Sequence, residues 1–161
     1  MKSIKEEANL VNKKLLLRLD LNVPIVDNKI TDTTRIDKIL PTLEFLINQN
    51  TRIIIISHVG RPKGKIVNEL SLKLICEELS KKLNQNVKLF SKNIKEIDSK
   101  ELFNNNDERV IMLENIRFYP EEEENNEKFA KHLSTLADIY VNDAFSCSHR
   151  AHASIHKITN F

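Results

Sequence analysis

The 161-residue chain contains only two glycines, Gly60 and Gly64, and no tryptophan. A Walker phosphate loop needs two glycines separated by four residues, and a dinucleotide fingerprint needs three glycines. Neither motif can be built from Gly60 and Gly64. If this protein binds phosphate, it must therefore use side chains rather than a glycine-rich backbone loop.

Other scarce features narrow the class of protein further. Two cysteines, Cys76 and Cys147, and the lack of a signal-peptide core predict reduced thiols and a cytoplasmic protein. A net charge of +2 gives no broadly basic surface, so we expect no nucleic-acid partner. No apolar run approaches the roughly 20 residues of a membrane span. We therefore expect no membrane partner, and we expect a monomer.

Strand and helix signals alternate along the chain. Apolar periodicity predicts helices at 35–48, 72–83 (after Ser71 as cap) and 125–136. Short apolar runs predict strands at 15–21, 53–56, 87–90, 110–113 and 139–141. The run from Ile53 to Ile56 is β-branched throughout, which is typical of a strand buried on both faces of a parallel sheet. The pattern predicts one α/β domain over residues 1–161, a Rossmann-like, doubly wound parallel sheet with helices on both faces.

Three local features modify this outline. Pro41 lies inside the first helical pattern and predicts a kink or a boundary there. The segment 92–107, which contains three consecutive asparagines, and the acidic run 121–124 are both expected to be solvated surface.

Polar and basic side chains follow the predicted strands. In open parallel sheets, ligands bind beyond the carboxyl ends of the strands. The residues concerned are Asp20, Asn22, Arg35, His58, Arg61, Arg117, His149, Arg150 and His152. Four arginines that converge would repel one another while no ligand is bound. Their planar guanidinium groups suit a small, multiply charged anion. Asp20 and Asn22 would receive a ligand hydroxyl or orient the guanidinium groups; the alternative is that both are turn residues.

Arg18 is the odd residue in the first predicted strand. A buried arginine is costly unless it is paired. Two interpretations stay open: Arg18 lies near the strand end and reaches solvent, or its charge adds to the same cluster.

A competing interpretation concerns Cys147, His149, His152 and His156. On a helix the three histidines would share a face, and with the thiolate they could bind zinc. The spacing matches no strong zinc signature, so phosphate binding by this segment is preferred and no metal site is predicted.

Six segments resemble the phosphoglycerate kinase family. They are RLDLNVP at 18–24, TDTTRI at 31–36, SHVGRPKG at 57–64, LENIRFY at 113–119, VNDAF at 141–145 and HRAHAS at 149–154. They occur in the family's order and cover nearly the whole chain, so the similarity is specific. One departure is Ser146, which stands where the family usually has glycine.

The resemblance implies the amino-terminal domain of that enzyme, which binds 3-phosphoglycerate. It places Asp20 and Asn22 at the glycerate end, and Arg35 beside the transferring phosphoryl group as the catalytic residue. The remaining implied substrate-binding residues are His58, Arg61, Arg117 and Arg150. The surrounding basic patch is implied to consist of Arg18, His149 and His152.

The resemblance also implies a glycolytic reaction in which a phosphoryl group moves reversibly between 1,3-bisphosphoglycerate and ADP. In the ATP-consuming direction the nucleophile is a carboxylate, already ionised at pH 7, so only positioning and charge neutralisation are required. Mg²⁺ and ADP or ATP are expected to bind a carboxyl-terminal domain that is absent from this chain. The 161-residue chain alone should therefore be inactive. The alternative function is a catalytically silent anion-binding or regulatory module.

Overall fold

The computed structural model describes residues 3–7 and 9–161. The strands are β1 (Lys14–Leu19), β2 (Ile25–Val26), β3 (Lys29–Ile30), β4 (Arg52–Ile56), β5 (Val87–Phe90), β6 (Val110–Leu113) and β7 (Ile139–Asp143). The α-helices are α1 (Thr34–Asn48), α2 (Lys73–Leu83), α3 (Pro120–Glu123) and α4 (Glu127–Ser134). Five strands form one sheet in the order β5-β6-β4-β1-β7, and β2 and β3 form a small hairpin.

The large sheet is parallel at every pairing and is covered on both faces. Successive side chains of a strand point to opposite faces. Leu15, Leu17 and Leu19 of β1 pack in one core with the apolar faces of α1 and α2. Leu16 packs on the other face in a second core, which includes Phe129 of α4. The predicted fold class is thus confirmed.

Helix α1 continues through Pro41, so the predicted boundary at this residue is wrong. Proline removes one backbone donor, but the apolar face of the helix stays packed in the core on both sides of it. The buried residues of that face are Ile36, Ile39, Leu43 and Leu46. Asp32 Oδ1 accepts a 2.8 Å hydrogen bond from the amide of Thr34 and fixes the start of the helix.

The two segments expected to be solvated instead contribute to the interior. The segment 92–107 forms two short 3-10 helices, at Ile94–Glu96 and Ser99–Glu101. It buries four apolar side chains, which are Ile94, Ile97, Leu102 and Phe103. In the acidic run, Glu122 of α3 is fully buried. The polar composition of both segments therefore masked their buried positions, four in 92–107 and Glu122 in the acidic run.

Helices α2 and α4 begin one and two residues later than predicted, respectively. Asn126 accepts a 3.0 Å hydrogen bond from the amide of Phe129, so α4 begins at Glu127. Helix α2 begins at Lys73, whose amide donates to Ser71 Oγ at 3.2 Å. Within residues 3–7 and 9–161, no helix combines the length and apolar character that a membrane span requires.

Candidate anion-binding site

A cleft of about 280 Å³ lies beyond the carboxyl ends of β4, β1, β7 and β6. Every residue for which substrate binding was predicted contributes to its wall. The lining residues are Asp20, Asn22, Arg35, His58, Gly60, Arg61, Arg117, Ser146, Cys147 and Arg150. Four strands therefore deliver polar groups to one place, as the parallel topology requires.

Asp20 organises one side of the cleft. Its Oδ2 atom accepts hydrogen bonds from Arg35 Nη1 and from Ser146 Oγ. Burial would raise the pKa of Asp20, but these bonds to Ser146 and Arg35 hold that pKa below its usual value. Asp20 is consequently an anion that holds the guanidinium of Arg35 at the mouth of the cleft.

Asn22 shapes the loop that follows β4. Its Oδ1 atom accepts a 2.9 Å hydrogen bond from the amide of Gly60. Gly60 has a φ of 64°, in the left-handed region that glycine adopts readily. Asn22 is thus more than a turn residue, because it fixes the loop that presents Arg61 to the cleft.

Arg117 is the most buried arginine of the cleft wall, with 6% of its surface exposed. It lies in the 3-10 helix Ile116–Phe118, which Asn115 caps by accepting from the amide of Arg117 at 3.1 Å. Its Nε has no hydrogen-bond partner among the described residues, and Glu123 Oε1 is 3.9 Å away. Burial lowers the pKa of Arg117. A buried and incompletely paired guanidinium is a strong attractor for an anionic ligand.

His58 lines the cleft but is 2% exposed. Its Nδ1 atom lies 3.0 Å from Arg18 Nη2. Burial, together with the nearby charges of Arg18 and Arg117, lowers the pKa of His58 to about 3. The imidazole is therefore neutral at physiological pH.

Arg18 does not reach solvent, because it is fully buried. It does not line the cleft, but its charge acts on His58 and Arg117 in the cleft wall. Its Nε donates to Ser154 Oγ at 3.1 Å and its Nη1 donates to the carbonyl oxygen of Leu19. Ser154 Oγ in turn donates to Glu122 Oε1 at 2.5 Å. Burial raises the pKa of Glu122, against the opposing pull of Arg18 and Ser154.

The two other members of the predicted basic patch also lie outside the cleft wall. His149 is exposed, and His152 is 7% exposed with its Nδ1 atom 3.9 Å from Glu122 Oε1. The segment 149–156 contains no α-helix, so the face assumed for a zinc site does not form. In the described part of the chain, no three His, Cys, Asp or Glu side chains group in a manner suited to a metal ion.

A larger cavity of about 510 Å³ lies beyond β5 and β6. Its charged side chains are satisfied internally. Glu114 accepts from Ser71 Oγ at 2.7 Å and from the amide of Leu72 at 2.8 Å, and Lys95 pairs with Glu121 at 2.7 Å. The smaller, arginine-lined cleft is therefore the candidate functional site.

Four residues that shape the site were given no role in anion binding by the sequence analysis. Ser146 and Cys147 line the cleft, while Ser154 and Glu122 support Arg18 beneath it. The replacement of the usual glycine by Ser146 was the one available signal. Nothing in the acidic run distinguishes Glu122 from its neighbours.

The fold and the cleft define a class, a doubly wound α/β domain with an arginine-rich cleft at the carboxyl edge of its sheet. Residues 5–161 match the family model described as "Phosphoglycerate kinase". The chain therefore belongs to the phosphoglycerate kinase family.

Individual relatives agree with this assignment. The chain is 53% identical over 156 residues to phosphoglycerate kinase from Wolbachia sp. subsp. Drosophila simulans (strain wRi), covering 97% of this chain and 39% of that protein. Among solved structures, phosphoglycerate kinase from Coxiella burnetii matches 94% of this chain and 37% of its own, with a TM-score of 0.83 and 42% identity. The Pyrococcus horikoshii OT3 enzyme matches 98% of this chain and 40% of its own, with a TM-score of 0.84 and 31% identity. The chain thus spans about two fifths of the length of these relatives.

Proposed function

We propose that the cleft binds 3-phosphoglycerate and 1,3-bisphosphoglycerate, and that residues 1–161 are one domain, the amino-terminal substrate-binding half of a phosphoglycerate kinase. The observation that carries the proposal is Arg117, whose buried Nε faces no hydrogen-bond partner in the described part of the chain. Arg61 and Arg150 line the same cleft, and their side chains make no hydrogen bond or ion pair within residues 3–7 and 9–161. Three guanidinium groups are thus available to one small anion.

The proposed reaction transfers a phosphoryl group between 1,3-bisphosphoglycerate and ADP. The acceptor in the reverse direction is the carboxylate of 3-phosphoglycerate, which needs no general base. The work of this domain is to hold the substrate and to offset charge on the transferring group. Arg35, which reaches the mouth of the cleft, is the group that we assign to the transferring phosphoryl.

The residues that the structure describes do not fit a Mg-nucleotide. Neither of the two glycines belongs to a phosphate-cradling motif, and the described residues hold no cluster of metal-ligating side chains. We place the binding of Mg²⁺ and ADP or ATP in a carboxyl-terminal domain outside these 161 residues. The roles that we assign to this domain concern the phosphoglycerate substrate and the transferring phosphoryl group, and none of them requires a contact with the nucleotide.

Calorimetric titration of the chain with 3-phosphoglycerate tests this function. We expect binding that weakens as salt is raised, since partly exposed charges are screened over about 8–10 Å. Arg117→Gln should abolish most of the heat, whereas Arg109→Gln, at the opposite end of β6, should leave it unchanged. The absence of both binding heat and any chemical-shift change at millimolar ligand would overturn the proposal.

A further inference from the structure

The contact between Arg18 and His58 constrains the protonation of the imidazole. Arg18 Nη2 lies 3.0 Å from His58 Nδ1. A guanidinium has only donors, so a hydrogen bond at this distance requires a lone pair on Nδ1. The single proton of the neutral ring must then be on Nε2. No described residue accepts a hydrogen bond from that nitrogen, and the ring lines the cleft.

We propose that Arg18 is a positioning residue that holds His58 as the neutral Nε2–H tautomer, so that His58 offers the anion in the cleft an uncharged hydrogen-bond donor. This assigns to Arg18 a role different from that of a ligand-binding arginine. The identity of the ligand rests on the proposed function, but the tautomer does not.

Arg18 is itself held in a single orientation by three acceptors. Besides His58 Nδ1, these are the carbonyl oxygen of Leu19 and Ser154 Oγ. The Ser154 hydroxyl gives its proton to Glu122 Oε1 at 2.5 Å, so its lone pairs face Arg18 Nε. The amide of Ser154 donates to Glu122 Oε2 at 2.9 Å. Glu122 therefore fixes the serine, the serine fixes the arginine, and the arginine fixes the imidazole.

The charges around His58 also favour the neutral ring. Arg18 on β1, Arg117 after β6 and the buried His152 oppose a second proton, and Asp20 after β1 is the group that favours one. Glu122 on α3 lies behind Arg18, whose guanidinium separates it from the ring along the hydrogen-bonded chain. The low pKa of His58 follows from burial and from this excess of positive neighbours.

The neutral donor has a consequence for binding. An imidazolium would lose its charge near pH 6.5, and an anion would then bind more weakly. A neutral Nε2–H donates the same hydrogen bond on both sides of pH 6.5, so its contribution to binding does not change across that pH.

Nitrogen-15 NMR of the wild-type chain tests the tautomer without any ligand. In two-bond ¹H–¹⁵N correlation spectra, assigned by the peaks that disappear in His58→Gln, we expect an unprotonated Nδ1 and a protonated Nε2. The pattern should persist from pH 7 to pH 5. A protonated Nδ1, an imidazolium pattern or an averaged pair of nitrogen shifts at pH 7 would overturn the proposal.

Variants separate positioning from folding. In Arg18→Met we expect a mixture of His58 tautomers and at least about 10-fold weaker binding of 3-phosphoglycerate at pH 8. Arg52→Met, at the amino-terminal end of β4, is the matched control and should leave the tautomer unchanged.

If Arg18→Met folds and keeps the wild-type tautomer, Arg18 is merely structural. If it fails to fold, Ser154→Ala provides the same comparison, because it removes the acceptor of Arg18 Nε. If the wild-type chain shows the expected His58 tautomer but does not bind 3-phosphoglycerate, only the proposed function is contradicted.

Discussion

The hydroxyl of Ser146 donates a hydrogen bond to the carboxylate of Asp20 from 126 positions further along the chain. It connects the loop after β7 to the loop after β1, on two sides of the candidate cleft. The same carboxylate oxygen accepts from Arg35. A serine in place of the family's usual glycine therefore helps to fix the group that holds Arg35.

Ser146→Ala should weaken the binding of 3-phosphoglycerate by about 3- to 10-fold, less than the loss of a fully buried charge-assisted hydrogen bond, because the contact is partly exposed. The pKa of Asp20 should rise, since one of the bonds that lowers it is lost. Calorimetry and NMR titration of Asp20 measure these effects. Ser148→Ala is the control, because Ser148 Oγ donates to the carbonyl oxygen of Ala144 and lies outside the cleft wall. Equal behaviour of the two variants would contradict the role of Ser146.

The convergence of the lining residues was predictable because it depends on topology alone. Carboxyl ends of parallel strands meet at one edge, so residues such as Asn22 and Arg150 need only follow their strands to be neighbours. The depth of Arg18 was not predictable in this way. The burial of Arg18 depends on Ser154, 136 positions away, and on Glu122, the buried residue of the acidic run. Local composition carries no signal for either contact.

The stability of the protein should depend on the titration of His58. Its pKa is about 3 in the folded state, well below the unfolded value of 6.5. The stabilisation is therefore fully present above pH 6.5 and is lost as the pH falls toward 3. The expected slope is about 1.4 kcal/mol per pH unit for one proton.

Urea unfolding of wild type and His58→Gln between pH 7 and pH 4.5 isolates this contribution. His152, whose pKa is also lowered, acts in the same direction, and Glu122, whose pKa is raised, acts in the opposite direction. Both effects are common to the two proteins and cancel in the difference. Parallel pH profiles for the two proteins would show that His58 is not neutral in the folded state.

Gly64→Ala should destabilise the protein by about 1–3 kcal/mol. Gly64 has a φ of 73°, and an added Cβ would lie 2.9 Å from Pro120 Cβ and 3.0 Å from Pro120 Cα. Because the Gly64 amide donates to the carbonyl oxygen of Arg117 at 3.1 Å, ligand affinity should fall as well. Thermal melting beside the exposed variant Lys65→Ala checks the size of the effect; equal melting temperatures would refute it.

The pure 161-residue chain should show only background activity in a coupled ATP assay. Its residues supply a candidate anion cleft but no recognisable phosphate loop for a nucleotide. Addition of 3-phosphoglycerate up to millimolar concentrations should not change this result. Robust turnover by the chain alone would require a nucleotide site within the present residues.

Arg35 and Arg61 should have different roles in a longer protein that joins this domain to the proposed nucleotide-binding domain. Arg35 lies in the first turn of α1, with 44% of its side chain exposed and its Nη1 atom on Asp20. It can therefore reach across the cleft mouth while the helix holds its backbone. A group that strengthens its contact only in the transition state changes kcat, whereas one that binds uniformly changes KM.

We expect Arg35→Ala to lower kcat by at least about 100-fold with a smaller change in KM, because arginines that offset charge in phosphoryl transfer contribute on this scale. Arg61→Ala should chiefly raise KM. Lys38→Ala, on an exposed position of the same helix, controls for effects on the helix itself. If Arg35 only supports the start of α1, its removal will lower the melting temperature and leave kcat of the folded protein unchanged. Steady-state kinetics with calorimetric melting distinguishes the two outcomes, and an unchanged kcat in a well-folded variant would exclude Arg35 from the catalytic residues.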